Sequence, residues 1–222
     1  MASSNPDRPD GRRARGAASR ATILDAATEL FSTHGYTGTT ISAIAASTGL
    51  RPGSIYHAFG SKQGLLDAVM TSVADRAFGA VESITHDTES TAGLRLQQTA
   101  RTLVADPVFL RLFLLLALEK VDDEQVRSIV ESVRSRARAA VTTALAPLLD
   151  DLPTDLRPVA AEATGRIALI LLDGVFVSHQ LDSEHADLDQ TLALVTVMAE
   201  LALGQLPTML GRPDQSSPGG HE

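Results

Sequence analysis

The sequence contains no cysteine, so disulfides, thiolate nucleophiles and thiolate metal sites are excluded. It also lacks an apolar run of the ~20 residues needed to span a bilayer. The most apolar stretches, residues 112–118 and 167–172, are far shorter. The opening residues, MASSNPDRPDGRRARG, hold no apolar signal-peptide core. These absences lead to the expectation of a cytoplasmic protein with no membrane partner. The six histidines show no i,i+4 pairing and no HExxH spacing, and there is neither a Gly-rich phosphate loop nor a GxSxG elbow. His179, Asp182, Glu184, His185, Asp187 and Asp189 crowd one stretch, which reads as a hydrated loop rather than a metal site. The expectation is a protein without enzymatic activity, metal or cofactor.

What is present is a chain of 222 residues, long enough to bury a sizeable core in one or two domains. The net charge of −8 is unevenly placed: residues 1–62 carry +3 and residues 63–222 carry −11. A basic head on an acidic body suits a polyanionic partner at one end, because phosphates are attracted to the first and repelled by the second.

Residues 40–59, TISAIAASTGLRPGSIYHAF, carry the most specific signal. Ile41, Ile44 and Ala45 recur at spacings of three and four, which makes them the apolar face of a short helix. Thr40 stands where its hydroxyl can accept from a free first-turn amide. Thr48 and Gly49 break the pattern, and Gly49 suits the left-handed position that ends helices. Leu50 supplies an apolar plug. Pro52 suits the first position of a second helix, where its missing N–H costs nothing. That helix turns Ile55 and Phe59 inward and Gly53, Ser54, Tyr56 and His57 outward. Two helices about a Gly-containing turn form a helix-turn-helix, whose second helix fits a DNA major groove. Tyr56 and His57 offer hydrogen-bonding tips, and Ser54 is short enough to touch a base edge or the backbone. Arg51 adds a cation at the groove edge. Lys62 adds another at a helix start, where free amides also favour a phosphate.

The rest of the chain reads as helices. Ile23, Leu24, Ala27, Leu30 and Phe31 form one stripe over residues 19–34 and brace the motif. Ser61 can cap a helix over residues 62–81, whose inner face is Leu65, Leu66, Val69 and Met70. Further helices are expected over about 91–104, 107–120, 122–149, 157–180 and 188–203, with a polar loop around His86. No strand is convincing, and the fold class is all-α.

The residues Ile23-Leu24, Ala26-Ala27, Leu30-Phe31, Gly35-Tyr36, Thr39-Thr40, Ile44-Ala45, Gly49, Gly53, Ile55-Tyr56, Phe59, Ser61-Lys62 and Leu65-Leu66 come in order without a gap. In this pattern the chain resembles the N-terminal domain of the TetR family of transcriptional regulators. The resemblance implies a three-helix head and a linking fourth helix on an all-helical ligand-binding and dimerisation body. It extends the candidate DNA-binding set to Thr39, Thr40, Arg51, Pro52, Gly53, Ser54, Tyr56, His57 and Lys62. Two departures stand out: Arg51 where Ser or Thr is common before the second motif helix, and Gln63 where an acid is common. The expected division is a basic arm at 1–16 without fixed structure, a DNA-binding domain at 17–77, a regulatory domain at 78–210 and a flexible tail at 211–222.

In the body, residues 167–177 are apolar on nearly every face apart from Asp173. Leu188, Leu192, Val195, Ala199 and Ala202 are spaced like a bundle seam. A four-helix interface between two copies accounts for both patterns, with Ile170, Gly174, Val177, Leu192, Val195 and Ala199 as its candidates; an internal helix pair is the alternative. A twofold dimer would read a palindromic operator on double-stranded DNA. The resemblance also implies a small-molecule effector that releases DNA, so that the expected function is a ligand-responsive repressor. Phe109 and Phe113, with Gln97, Arg111 and Glu119 as polar partners, are the candidate pocket residues; the same apolar side chains also suit plain core. Aliphatic and Phe candidates favour a hydrophobic effector.

Overall fold

The computed structural model describes residues 11–84, 91–119, 123–150, 152–181 and 187–210. Among these residues there is no strand, and nine helices follow one another: α1 (Gly11–Gly38), α2 (Ile41–Thr48), α3 (Pro52–Phe59), α4 (Lys62–Glu82), α5 (Ala92–Ala105), α6 (Val108–Leu118), α7 (Glu124–Leu145), α8 (Arg157–Leu181) and α9 (Leu188–Leu210). A short 3-10 turn, Ala146–Leu149, follows α7. The tail from 211, His86 and the loop residues Asp182, Glu184 and His185 lie outside the described residues.

The helix starts and stops follow local chemistry, with one extension. α1 begins at Gly11, inside the stretch expected as an arm without fixed structure. The run Arg12 to Ala18 is rich in Arg and Ala, which favour helix, and holds no proline to stop it. At its other end Gly35 takes φ 72°, ψ 170°, a break that glycine alone adopts without strain. Asp123 starts α7, its carboxylate accepting from the amides of Gln125 at 2.9 Å and Val126 at 3.4 Å.

Packing divides the chain into two compact units that differ from the chain-order division at 77/78. The first contains residues 1–75 together with 108–133; the second contains 76–107 and 134–222. The boundary thus falls within α4 and within α7. The head's core is Ile23, Ala27, Phe31, Ile44, Ile55, Leu65, Leu66, Val69 and Met70, all essentially buried. α6 was expected to need burial on more than one side, and it finds it in this first unit: Phe109, Leu110, Leu112, Phe113 and Leu116 are buried.

The second unit is built on α5, α8 and α9. Leu96, Leu103, Leu169, Leu172, Val175 and Phe176 fill its interior. Asp173, the polar exception on α8, is gripped by both Arg134 guanidinium nitrogens at 3.1 and 2.7 Å. The interface expectation is half corrected here. Leu192, Val195 and Ala199 are buried within their own chain, at 0%, 6% and 6% exposure, so they are core. Ile170 and Val177 are exposed at 61% and 41%, and Gly174 is also exposed. The exposed apolar side of α9 is a different stripe, Leu194, Val197, Met198 and Leu201, at 54–63% exposure. Both sides of α9 are apolar, and the spacing of Leu, Val and Ala does not distinguish them.

Candidate nucleic-acid interface

α2 and α3 are set by caps at their ends, and α3 by one buried residue, Ile55. The Thr40 hydroxyl accepts from the Ala43 amide at 3.1 Å, satisfying a donor the helix cannot satisfy itself. At the other end of α2, Gly49 takes φ 68° and the Leu50 amide donates to the Ala45 carbonyl at 3.1 Å. Leu50 is half-buried. Arg51 makes no side-chain cap, and Pro52 opens α3 as expected. Ile55 is fully buried, and it is the residue of α3 that goes into the core. Gly60 ends the helix with φ 77°, its amide donating to the Tyr56 carbonyl at 2.8 Å. Ser61 then caps α4, accepting from the Gly64 amide at 2.9 Å.

This geometry presents one face of α3. Arg51, Pro52, Gly53, Ser54 and His57 are exposed, and Tyr56 is 51% exposed. Phe59, expected inward, is half-buried, and the Arg20 guanidinium of α1 covers its ring at 4.1 Å. Lys62 is half-buried, and its ammonium sits 4.2 Å from the centre of the Tyr36 ring. Burial pulls the Lys62 ammonium below the usual lysine value, and the Glu119 carboxylate acts in the opposite direction. Lys62 is thus held in place beside the motif rather than loose on the surface. Thr39 differs from the rest. Its side chain is 2% exposed, and its hydroxyl donates to the carbonyls of Leu30 at 3.1 Å and Gly35 at 2.8 Å. It joins α1 to α2 and presents no side chain to a ligand.

The five pocket candidates are not gathered into one site. Phe109 and Phe113 stack on each other with centroids 6.1 Å apart and are core. Arg111 is exposed. Glu119 turns to the head, accepting from the Thr37 amide at 3.1 Å and from the Thr37 hydroxyl at 3.0 Å. Gln97 is half-buried on α5, in the other unit. The sequence suggests Glu119 as a polar partner in an apolar pocket, but in the fold its carboxylate is taken by Thr37. A small cavity of about 20 Å3 does lie in the second unit, among Leu96, Leu145, Thr164, Ile167 and Leu171. It has room for about one water molecule. The Thr164 hydroxyl, buried on its wall, finds no partner among the described residues.

Two contacts were not visible in the pattern: Arg20 on Phe59 and Glu119 on Thr37. Both join residues far apart in sequence, so no spacing rule reports them. Among the described residues no group of acids and histidines could hold a metal ion, and no helix is long and apolar enough to cross a membrane.

The profile for "Bacterial regulatory proteins, tetR family" matches residues 23–69, which span α1 to α4. The chain is 34% identical over 85 residues to the HTH-type transcriptional repressor KstR2 of Rhodococcus jostii, covering 38% of this chain and 39% of KstR2. The chain therefore spans well under half the length of the first curated relatives it matches. In fold it is similar over more of its length. A transcriptional regulator from Pseudomonas aeruginosa PAO1 superimposes with a TM-score of 0.67 at 18% identity, covering 85% of this chain and 92% of that one. SmeT, in complex with triclosan, superimposes at 0.62 and 20% identity, covering 92% and 100%.

Proposed function

We propose, from the premise that this chain belongs by its N-terminal domain to the TetR family of bacterial regulators, that it represses transcription as a dimer on a palindromic operator and lets go when a small apolar molecule binds. The observation that carries the reading is the outer face of α3. It exposes Ser54, Tyr56 and His57 together while Ile55 of the same helix is buried in the core. In a helix-turn-helix such a face meets base edges. Arg51, Thr40 and Lys62 then serve the phosphate backbone, which sets register and affinity but not sequence. Pro52 and Gly53 keep the start of α3 slim enough for close approach. Thr39 contributes by holding the α1–α2 corner rather than by contact.

Dimerisation rests on the exposed apolar stripes. Ile170, Gly174 and Val177 on α8, and Leu194, Val197, Met198 and Leu201 on α9, leave more apolar surface in water than single scattered residues do. A second copy covering both stripes removes that surface and sets two α3 helices about one twofold axis. Effector response is supported by a relative in fold, SmeT, whose structure is a triclosan complex. Repression is supported by the naming of KstR2 as a repressor. The working compartment is the cytoplasm, where operator DNA is, and no enzymatic activity is assigned.

Selection of duplexes from a random-sequence pool tests the core of this reading. The expected result is one twofold-symmetric sequence, bound by two chains, with affinity falling steeply as salt rises. Recovery of no sequence, or a monomer by light scattering on the selected duplex, overturns it. A thermal-shift screen with small apolar molecules tests the effector arm, because a ligand that binds the folded state raises the melting temperature.

A further inference from the structure

α3 has only eight residues, about two turns, too few to hold its own orientation without tertiary support. Ile55 anchors its middle. Along the edge facing α1 the packing is open: a groove of about 340 Å3 runs between Ser19 and Ile23 on one side and Gly53, Ser54 and His57 on the other. The two helices are bridged at the end of that groove by Arg20. Its Nη1 donates to the Ala58 carbonyl at 2.8 Å, and its guanidinium carbon lies 4.1 Å from the centre of the Phe59 ring.

Each half of this contact has a physical reason. The last carbonyls of a helix have no partner within it, and Ala58 is the penultimate residue of α3. A cation at that end also meets the negative end of the helix dipole. A planar guanidinium over an aromatic face gains cation–π attraction that a lysine ammonium in the same place does not reproduce in shape. The two interactions together fix both the position and the tilt of the last turn.

We propose that Arg20 is a positioning residue for DNA recognition: it clasps the end of α3 through the Ala58 carbonyl and the Phe59 ring, so that the outer face meets the groove at one angle. The inference rests on the DNA-binding reading above but has a readout that does not. In the free protein, Arg20→Ala and Arg20→Lys should both speed hydrogen exchange at the Gly60 amide, which closes the last turn of α3 on the Tyr56 carbonyl. Unchanged exchange in both variants overturns the clasp.

The DNA arm uses the duplex selected by the wild-type chain and a random-sequence duplex of equal length, each titrated across salt. Arg20→Ala should weaken the selected duplex about five- to seventyfold, the combined scale of one hydrogen bond and one exposed cation–π contact. The salt slope and the random-duplex affinity should not move, and Arg20→Lys should lose nearly as much as Arg20→Ala. Phe59→Leu should remove most of the effect of Arg20→Lys. A salt slope reduced by about one, with parallel loss on both duplexes and rescue by Lys, makes Arg20 a phosphate contact and overturns the proposal. Faster exchange in a chain that selects no DNA leaves the clasp standing and removes the DNA reading instead.

Discussion

α3 in the head and α9 in the body are both apolar-patterned helices, yet their residues were legible to different degrees. In α3 each outward residue lies where the spacing put it, because one buried residue, Ile55, leaves only one way round. In α9 the pattern fits two opposite faces. The seam of Leu192, Val195 and Ala199 faces the chain's own core, and the stripe of Leu194, Val197, Met198 and Leu201 faces out. Periodicity reports that a face exists, and only a scarcity of apolar residues reports which face it is.

The largest expected effect breaks that comparison directly. Leu192→Ala should lower unfolding free energy by about 2–5 kcal/mol in a denaturant titration, while Leu201→Ala changes the monomer little. Equal losses would put both stripes in the core. Next, Leu194→Glu with Met198→Glu should give a folded monomer by light scattering and weaken the selected duplex by about a hundredfold, because the second head is no longer tethered. In the head, Tyr56→Phe with Lys62→Ala should cost about tenfold on that duplex and lower the salt slope by about one, since only Lys62 carries charge. Unchanged binding would remove α3's outer face from the interface. Thr40→Ala should lower stability by about 1 kcal/mol through the lost cap, measured by thermal unfolding. Smallest of all, Thr164→Val should be neutral or slightly stabilising, because it replaces a buried hydroxyl without a partner among the described residues by a methyl of similar size.

Much of the head could be read because its signals are local. Thr40, Gly49, Pro52 and Ser61 each act within four residues of themselves, on amides and carbonyls whose positions the helix itself dictates. The arm was less legible. Residues 1–16 read as a basic arm without fixed structure, but Arg12, Arg13 and Arg15 also favour helix, and α1 extends back to Gly11. The pocket candidates depend on tertiary contacts: chain order puts Phe109 and Glu119 in the body, whereas α6 packs with the head, and a carboxylate takes whichever donors the fold brings near.

The sequence by itself determined the helices, the helix-turn-helix and the exposed set Ser54, Tyr56 and His57. Capping, backbone preference and a 3.6-residue period are properties of neighbours along the chain. Tertiary structure alone decided that Thr39 is a brace, that α9 turns its seam inward, that Lys62 rests on Tyr36 and that Arg20 closes over Phe59. Each of these depends on two segments meeting in space, and no spacing within either segment encodes the other's position.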